Sequence, residues 1–495
     1  MITAPKETDL EKKLKEMRRR ELKERGIEPR PPGPSSQEKT STKETKLGII
    51  KLEASKLNQF EKEIKNLTDL KNKFSKIATT EILEVLFAGT LSSRASDIHF
   101  EPEEEGVRLR LRIDGVLQDI FNLEKKDYPS VLNRIKLMAG LKINVHDAPQ
   151  DGRFTLKTEK AMETRLRNGD PATHGSLSKP GPSPNDIEVR VSALPGAFGE
   201  SLVMRLLDPR TIKRGLEELG LRKDLLEEIE KQLKKTTGAI LTTGPTGSGK
   251  TTTLYAFVNF VNKPGVKIIT IEDPIEYHIQ GISQTQVKPE KGYSFANGLR
   301  SIVRQDPDAI LIGEIRDSET AEIAMHAALT GHLVFSTMHT NDAAGVIPRL
   351  IDIGTKPQII APAINLAMAQ RLVRKLCQKC KKKVRATPEE LKKIKVVFKN
   401  LPQKVKEPRV TDEVKIFEAG ECNQCNFTGY QDRIGIFEAF VIDEELEKLI
   451  LKSPAISEVR DLAIKKGMVT LIQDAYLKIL EGITDFKEVE RVLGE

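Results

Sequence analysis

The chain has 495 residues, of which 31% are charged and only 5% aromatic, with no Trp and a formal net charge of +8. That length exceeds one ordinary core, so about two to four domains are expected. No apolar run approaches the roughly 20 residues that cross a bilayer, and Met1 to Glu7 lacks the apolar stretch of a signal peptide. The expectation is a cytoplasmic protein whose membrane association is peripheral and comes through partners.

The basic excess is concentrated in Lys12–Arg30 and Lys375–Arg385. Such runs meet nucleic acid or anionic lipid in some proteins, but a solvated, charge-rich surface is the preferred reading. Residues 1–75 read as a charged arm. Leu10–Gly26 has helical composition with few apolar positions to bury, and Pro29–Ser36 reads as a linker.

Residues 76–208 read as a compact α+β domain. Thr79–Gly89 has helical periodicity. Val107–Ile113 alternates strictly, placing Arg108, Arg110 and Arg112 on one face with no acidic partner in their own strand. Asp114-Gly115 then supplies a hairpin turn. Arg167–Asp186, rich in Gly and Pro, reads as an insertion loop. Ile187–Ser192 and Ser201–Leu207 read as further strands.

Residues 209–217 read as a linker, and Leu219–Lys235 as an amphipathic helix. The apolar run Gly238–Thr243 then leads into Gly244, Pro245, Thr246, Gly247, Ser248, Gly249, Lys250, Thr251 and Thr252. This is the G-x-x-x-x-G-K-T pattern between a strand and a helix. Its glycines let backbone N–H groups wrap phosphate oxygens, and the helix N-terminus adds a favourable dipole. Lys250 is expected to reach the β- and γ-phosphates, and the Thr251 hydroxyl to hold Mg²⁺.

Alternation of strands and helices continues through Lys267–Glu272, Ala309–Gly313 and Leu333–Thr337, as in an α/β sheet. Each run ends near polar groups, which line the ligand crevice at the carboxyl ends of parallel strands. Glu272 follows the first. Glu314 follows the second, where a Walker-B acid is expected, with a share in the Mg²⁺ shell. His332 and His339 bracket the third. Glu272 and Glu314 are candidates for base and metal-shell roles, and the histidines for sensing the γ-phosphate. Arg300, Arg304 and Arg316 are candidates to neutralise charge or to pair across subunits.

Cys377-Gln-Lys-Cys380 and Cys422-Asn-Gln-Cys425 hold all four cysteines. Two C-x-x-C knuckles are a strong signal for a closed, structural tetrathiolate Zn²⁺ site. Disulfides are the competing pairing, disfavoured in a reducing cytosol. This region spans 371–440, and 441–495 reads as helical.

These motifs together resemble the secretion ATPase superfamily, in its type II secretion and type IV pilus-assembly branch. The likeness begins at Arg94–Pro102, continues through Arg112–Leu117, Arg134–Ala139, Pro149–Arg153 and Gly199-Glu200, takes in the four ATPase clusters and the cysteines, and ends near Thr484. The resemblance implies a hexameric ring of RecA-like P-loop ATPase domains (here 218–370), each with a PAS-like N-terminal domain. It implies an Asp box at Glu272–Glu276, a Walker B at Glu314, a His box at His332 and His339, and N-terminal-domain arginines, by motif Arg112 and Arg134, acting on bound nucleotide.

The cofactors implied are ATP, Mg²⁺ and Zn²⁺. The implied work is assembly of a pseudopilus or pilus on a polytopic inner-membrane platform protein. A cysteine module of this kind is usual in assembly and secretion motors and usually missing from retraction ATPases. A DNA-handling P-loop ATPase is the alternative. The cysteine region has few aromatics for stacking and no evident recognition helix, so nucleic acid is not the expected partner.

Overall fold

The computed structural model describes residues 49–51, 66–74, 81–157, 187–208, 214–405, 411 and 413–494. The expected helix at Leu10–Gly26, the linker at Pro29–Ser36 and the insertion at Arg167–Asp186 lie outside them.

The first sheet is mainly antiparallel and follows from alternating burial. Its elements are β1 (Ile49–Lys51), α1 (Leu67–Phe74), α2 (Ile82–Ser92), β2 (Asp97–Pro102), β3 (Val107–Ile113), β4 (Val116–Leu123), α3 (Tyr128–Ala139), β5 (Gln150–Lys157), β6 (Ile187–Leu194) and β7 (Ser201–Leu207). The strand order is β1-β5-β6-β7-β2-β3-β4, with only the β1–β5 pair parallel. Inward residues Ile98, Phe100, Leu109, Leu111, Val189 and Val191 form one core with Val85, Leu86 and Ile135 of α2 and α3. Each such side chain contributes about 1.5–3 kcal/mol relative to exposure. Asp114 and Gly115 both take positive φ, as the tight β3–β4 hairpin requires.

The basic face of β3 has no acidic partner in its own strand but is paired from outside it. Arg108 meets Glu103 at 2.9 Å, Arg110 pairs with Glu101, and Arg112 approaches Asp97 at 3.5 Å. Two of these acids belong to β2, whose antiparallel register sets Asp97 opposite Arg112. Cross-strand neighbours are far apart in sequence, so periodicity within one strand cannot reveal them.

The second sheet carries the phosphate loop. Its elements are α4 (Lys223–Leu233), β8 (Gly238–Thr243), α5 (Lys250–Val261), β9 (Ile268–Glu272), β10 (Ser283–Gln286), α6 (Phe295–Val303), β11 (Ala309–Ile312), α7 (Ser318–Leu329), β12 (Leu333–Met338), α8 (Val346–Asp352), α9 (Pro357–Ala363) and β13 (Ile364–Leu376). A final strand, β16 (Tyr430–Val441), gives the order β10-β9-β11-β12-β8-β13-β16. All neighbours are parallel except β13–β16.

The strands β8, β9, β11 and β12 are buried along their whole length, as expected for a parallel sheet covered on both faces. Alternate residues face two cores. Ile240, Leu311 and Phe335 pack with α4 and α5, while Leu241, Ile310 and Val334 pack with α6, α7 and the C-terminal helices.

Between β13 and β16 lie β14 (Lys382–Arg385), α10 (Pro388–Phe398) and β15 (Lys415–Glu418), with β14 and β15 forming a small antiparallel sheet. β13 crosses position 370, so the cysteine region is rooted in the ATPase sheet. The chain ends in α11 (Glu444–Ile450), α12 (Ile456–Lys465), α13 (Leu471–Leu480) and α14 (Phe486–Leu493). Among the described residues no helix is long and apolar enough to cross a membrane.

Candidate functional site

Three positive-φ glycines shape the phosphate loop: Gly244 at 146°, Gly247 at 79° and Gly249 at 89°. A Cβ on Gly244 would lie 2.5 Å from the Gln370 carbonyl oxygen, so a side chain there is sterically barred as well. Gly249 caps α5, whose first residue is Lys250. The Lys250 ammonium donates to the carbonyls of Gly244 at 2.7 Å and Pro245 at 3.1 Å. Burial lowers its pKa, a shift opposed by the nearby Glu314 carboxylate and reinforced by Arg371. Thr251 is exposed at the mouth. The buried Ser248 hydroxyl has no hydrogen-bond partner among the described residues.

The neighbouring strand ends bring further groups. Glu314 follows β11 and is paired with Arg316 at 2.5 Å and with the His339 ring Nε2 at 3.1 Å. His339 follows β12, which pairs with β8 so that Met338 lies opposite Thr243. The Thr243 hydroxyl accepts from the Thr340 amide at 2.7 Å, tying the His339 loop to the base of the phosphate loop.

Glu272 ends β9 and is 3% exposed. Thr270 donates to its Oε1 at 2.5 Å, Gln284 to the same oxygen at 3.2 Å, and the Tyr255 hydroxyl to Oε2. Burial raises its pKa, with these three donors opposing the shift. Glu272 is therefore a poised but occupied acceptor, whereas Glu314 shares its oxygens with the exposed Arg316 guanidinium and the His339 ring.

Not every expected residue joins this cluster. His332 precedes β12, beside the Gly238 end of β8, and its ring Nδ1 lies 3.0 Å from the Ala327 carbonyl. Seven residues at about 3.3 Å each separate it by roughly 23 Å from His339, so it lies at the opposite end of β12 from the phosphate loop. Arg112 is directed at Asp97 and the Gly115 carbonyl. Arg134 is exposed on α3. Arg300 pairs with Glu319 at 2.5 Å.

The structure adds groups that sequence reading passes over. Gln370 of β13 accepts from the Thr253 hydroxyl at 2.8 Å, and Arg371 donates to the Asn341 carbonyl at 2.8 Å. The polar pair Gln370-Arg371, following the apolar run Leu366–Ala369 of β13, is the sequence signal for it. Arg190 of β6 reaches the Asp box, meeting Glu276 at 3.0 Å and donating to the Ile275 carbonyl at 2.8 Å. An alternating strand gives no hint of that long-range contact.

The four cysteines converge, with sulfurs all within 4.8 Å of one another. Cys377–Cys422, Cys380–Cys425 and Cys422–Cys425 are 3.8, 3.7 and 3.6 Å apart. A tetrahedron with Zn–S of about 2.3 Å has S···S edges of about 3.8 Å, so the donor set fits that ion. A disulfide requires about 2.05 Å, and all four cysteines are free.

The type II/IV secretion system protein family model matches residues 74–176 and 182–491. The chain is 41% identical over 431 residues to type II secretion system protein E of Xanthomonas campestris, covering 87% of this chain and 69% of that relative. It is 40% identical over 395 residues to the type IV pilus assembly ATPase PilB of Thermus thermophilus, covering 80% of this chain but 41% of that longer relative. The fold is similar to that of the Legionella pneumophila ATPase DotB, with a TM-score of 0.56 at 20% identity, covering 84% of this chain and 96% of the other. With the phosphate loop, Glu272, Glu314 and His339 gathered at one sheet edge, this chain belongs to the type II/IV secretion system protein family, the secretion ATPases.

Proposed function

We propose that the chain is a Mg²⁺-dependent ATPase working as a homo-hexameric ring at the cytoplasmic face of the inner membrane. There it couples hydrolysis to assembly of a pseudopilus or type IV pilus on a polytopic platform protein. The observation that carries the reading is the convergence of Lys250, Glu272, Glu314 and His339 at the carboxyl ends of adjacent parallel strands.

In this reading the amides of Gly244 to Thr252 wrap the phosphates, and Lys250 leaves the Gly244 and Pro245 carbonyls for the β- and γ-phosphates. Thr251 and Glu314 would hold Mg²⁺, which when bound neutralises charge on the transferring phosphate. Glu272 accepts the proton of the attacking water after giving up one of its donors. His339 reports the γ-phosphate to Glu314. The test is phosphate release by the purified protein with Mg²⁺ and with excess chelator. Hydrolysis that is lost with chelator and restored by Mg²⁺ is expected; a protein inert to ATP in both defeats the reading.

We keep the domain boundaries expected from sequence, with 76–208 read as PAS-like, but assign the β13 and β16 parts of 371–440 to the ATPase sheet in which they pair. Arg190 contacts the Asp box within one chain, which makes it the first basic residue to test. Arg112 and Arg134 are proposed to act across a ring interface. Arg190→Ala is expected to lower turnover by about tenfold while nucleotide affinity changes less than about threefold, since it acts on the Asp box rather than on bound phosphate. Steady-state hydrolysis and a fluorescent-nucleotide titration check this. Equal losses in both would place Arg190 in ground-state binding instead.

Zn²⁺ is proposed for Cys377, Cys380, Cys422 and Cys425, as structural cement with no open position. Metal analysis is expected to return about one Zn per chain. Cys422→Ser should lower that content and expose the β14–β15 region to protease. Full folding with no bound metal would argue against the assignment.

A further inference from the structure

Glu438, near the end of β16, is a buried carboxylate at 5% exposure that the ATPase chemistry does not use. Its Oε1 accepts from the Ala343 amide at 2.8 Å, and its Oε2 from the Leu471 amide at 3.1 Å. Leu471 is the first residue of α13, so this N–H has no partner within its own helix. Ala343 belongs to the loop between β12 and α8, which begins with His339. One carboxylate thus joins the His339 loop to the first turn of α13. The same loop is held a second time from the C-terminal helices, because Arg460 of α12 pairs with Asp342. Asp342 in turn accepts from the Gly345 amide at 2.8 Å, closing the turn.

We propose that Glu438 is a positioning residue for ATP hydrolysis: with Arg460 it fixes the His339 loop from behind and so sets the contact between His339 and Glu314. The inference rests on the ATPase reading above. It assigns to the C-terminal helices a direct hold on the γ-phosphate side of the site. Two backbone donors require two acceptor oxygens. A glutamine supplies one, and turns its NH₂ against the other amide. The loop amide and the helix amide then cannot both be satisfied, and the loop is released from one side.

The experiment compares the full-length chain with Glu438→Gln, Arg460→Ala, His339→Ala and the two double variants that include His339→Ala. Glu438→Gln is expected to lower kcat by about ten- to hundredfold, as small misplacements of reacting groups do, with ATP affinity within about twofold. Arg460, at 46% side-chain exposure, can be removed without opening the core, so Arg460→Ala provides a smaller loss in the same direction even if Glu438→Gln fails to fold.

In the His339→Ala background neither substitution should lower kcat further, because both act through His339. Multiplicative losses overturn the proposal, as does His339→Ala turnover within twofold of wild type. Should the His339→Ala background fall below detection, hydrogen exchange decides. Peptides spanning 339–345 should exchange faster in Glu438→Gln or Arg460→Ala while 244–256 stays unchanged, and unchanged exchange at 339–345 overturns the proposal. Wild-type protein that does not hydrolyse ATP removes the ATPase reading itself. Active wild type with independent losses removes only the role of Glu438.

Discussion

Replacing Lys250 by Ala is expected to lower ATP turnover by about 100- to 1000-fold, roughly 3–4 kcal/mol of barrier, the usual cost of removing one preorganised charge from a phosphate or oxyanion site. The ammonium sits on the carbonyls of Gly244 and Pro245, within its own loop. The fold should survive its removal, with the melting temperature moving by only a few degrees. In the proposed reading phosphate takes the place of those two carbonyls. Turnover near the wild-type value in a folded variant would dismiss the phosphate-loop role.

Glu314→Gln is the second large effect. The amide keeps the shape but removes the negative charge that Arg316 and His339 share. Turnover should fall by about 100-fold, while nucleotide stays bound through the loop amides and Lys250. The measurements are phosphate release and retention of labelled ATP on the purified variant. Turnover within about twofold, roughly 0.4 kcal/mol of barrier, would take Glu314 out of the chemistry. Losing nucleotide instead would make it a binding group. The same substitution at Glu272 is a different experiment, because there the amide must replace an oxygen accepting from Tyr255 or from Thr270 and Gln284.

The parts of this site that are legible in the sequence are local. A strand, a glycine loop and a Lys-Thr pair are contiguous, so Gly244 to Thr252 carry their geometry with them. Glu314 is legible because four apolar residues of β11 deliver it to the sheet edge. The two histidines show where such reading stops. Both flank β12, but an extended strand sends its flanks to opposite edges, and only His339 shares an edge with the phosphate loop. That outcome follows from strand geometry once the strand is recognised.

Sheet order is harder. Nothing near Gln370 states that β13 lies beside β8, because that neighbour is more than a hundred residues away. Arg190 on Glu276 is hidden for the same reason, since it joins an alternating strand of the first sheet to the Asp box of the second. β10 escapes notice because Ser283-Gln-Thr-Gln286 has no apolar alternation; it is an edge strand and needs none.

Leu376 and Tyr430 are paired across β13 and β16. Everything from Cys377 to Gly429 is therefore an excursion from the tip of one antiparallel hairpin, and the chain enters and leaves it through adjacent residues. A turn of about two to five residues would join the same two strand ends. In terms of descent, a single deletion of that segment would leave the strand order of the ATPase sheet unchanged. The scar would lie on α13, whose Tyr476 and Leu477 share a core with the buried Leu391, Ile394 and Phe398 of α10. A chain shortened in this way would need new polar residues on the uncovered face of α13, and would also lose the Lys393–Glu490 pair to α14 and the Leu67 amide's bond to Asn426.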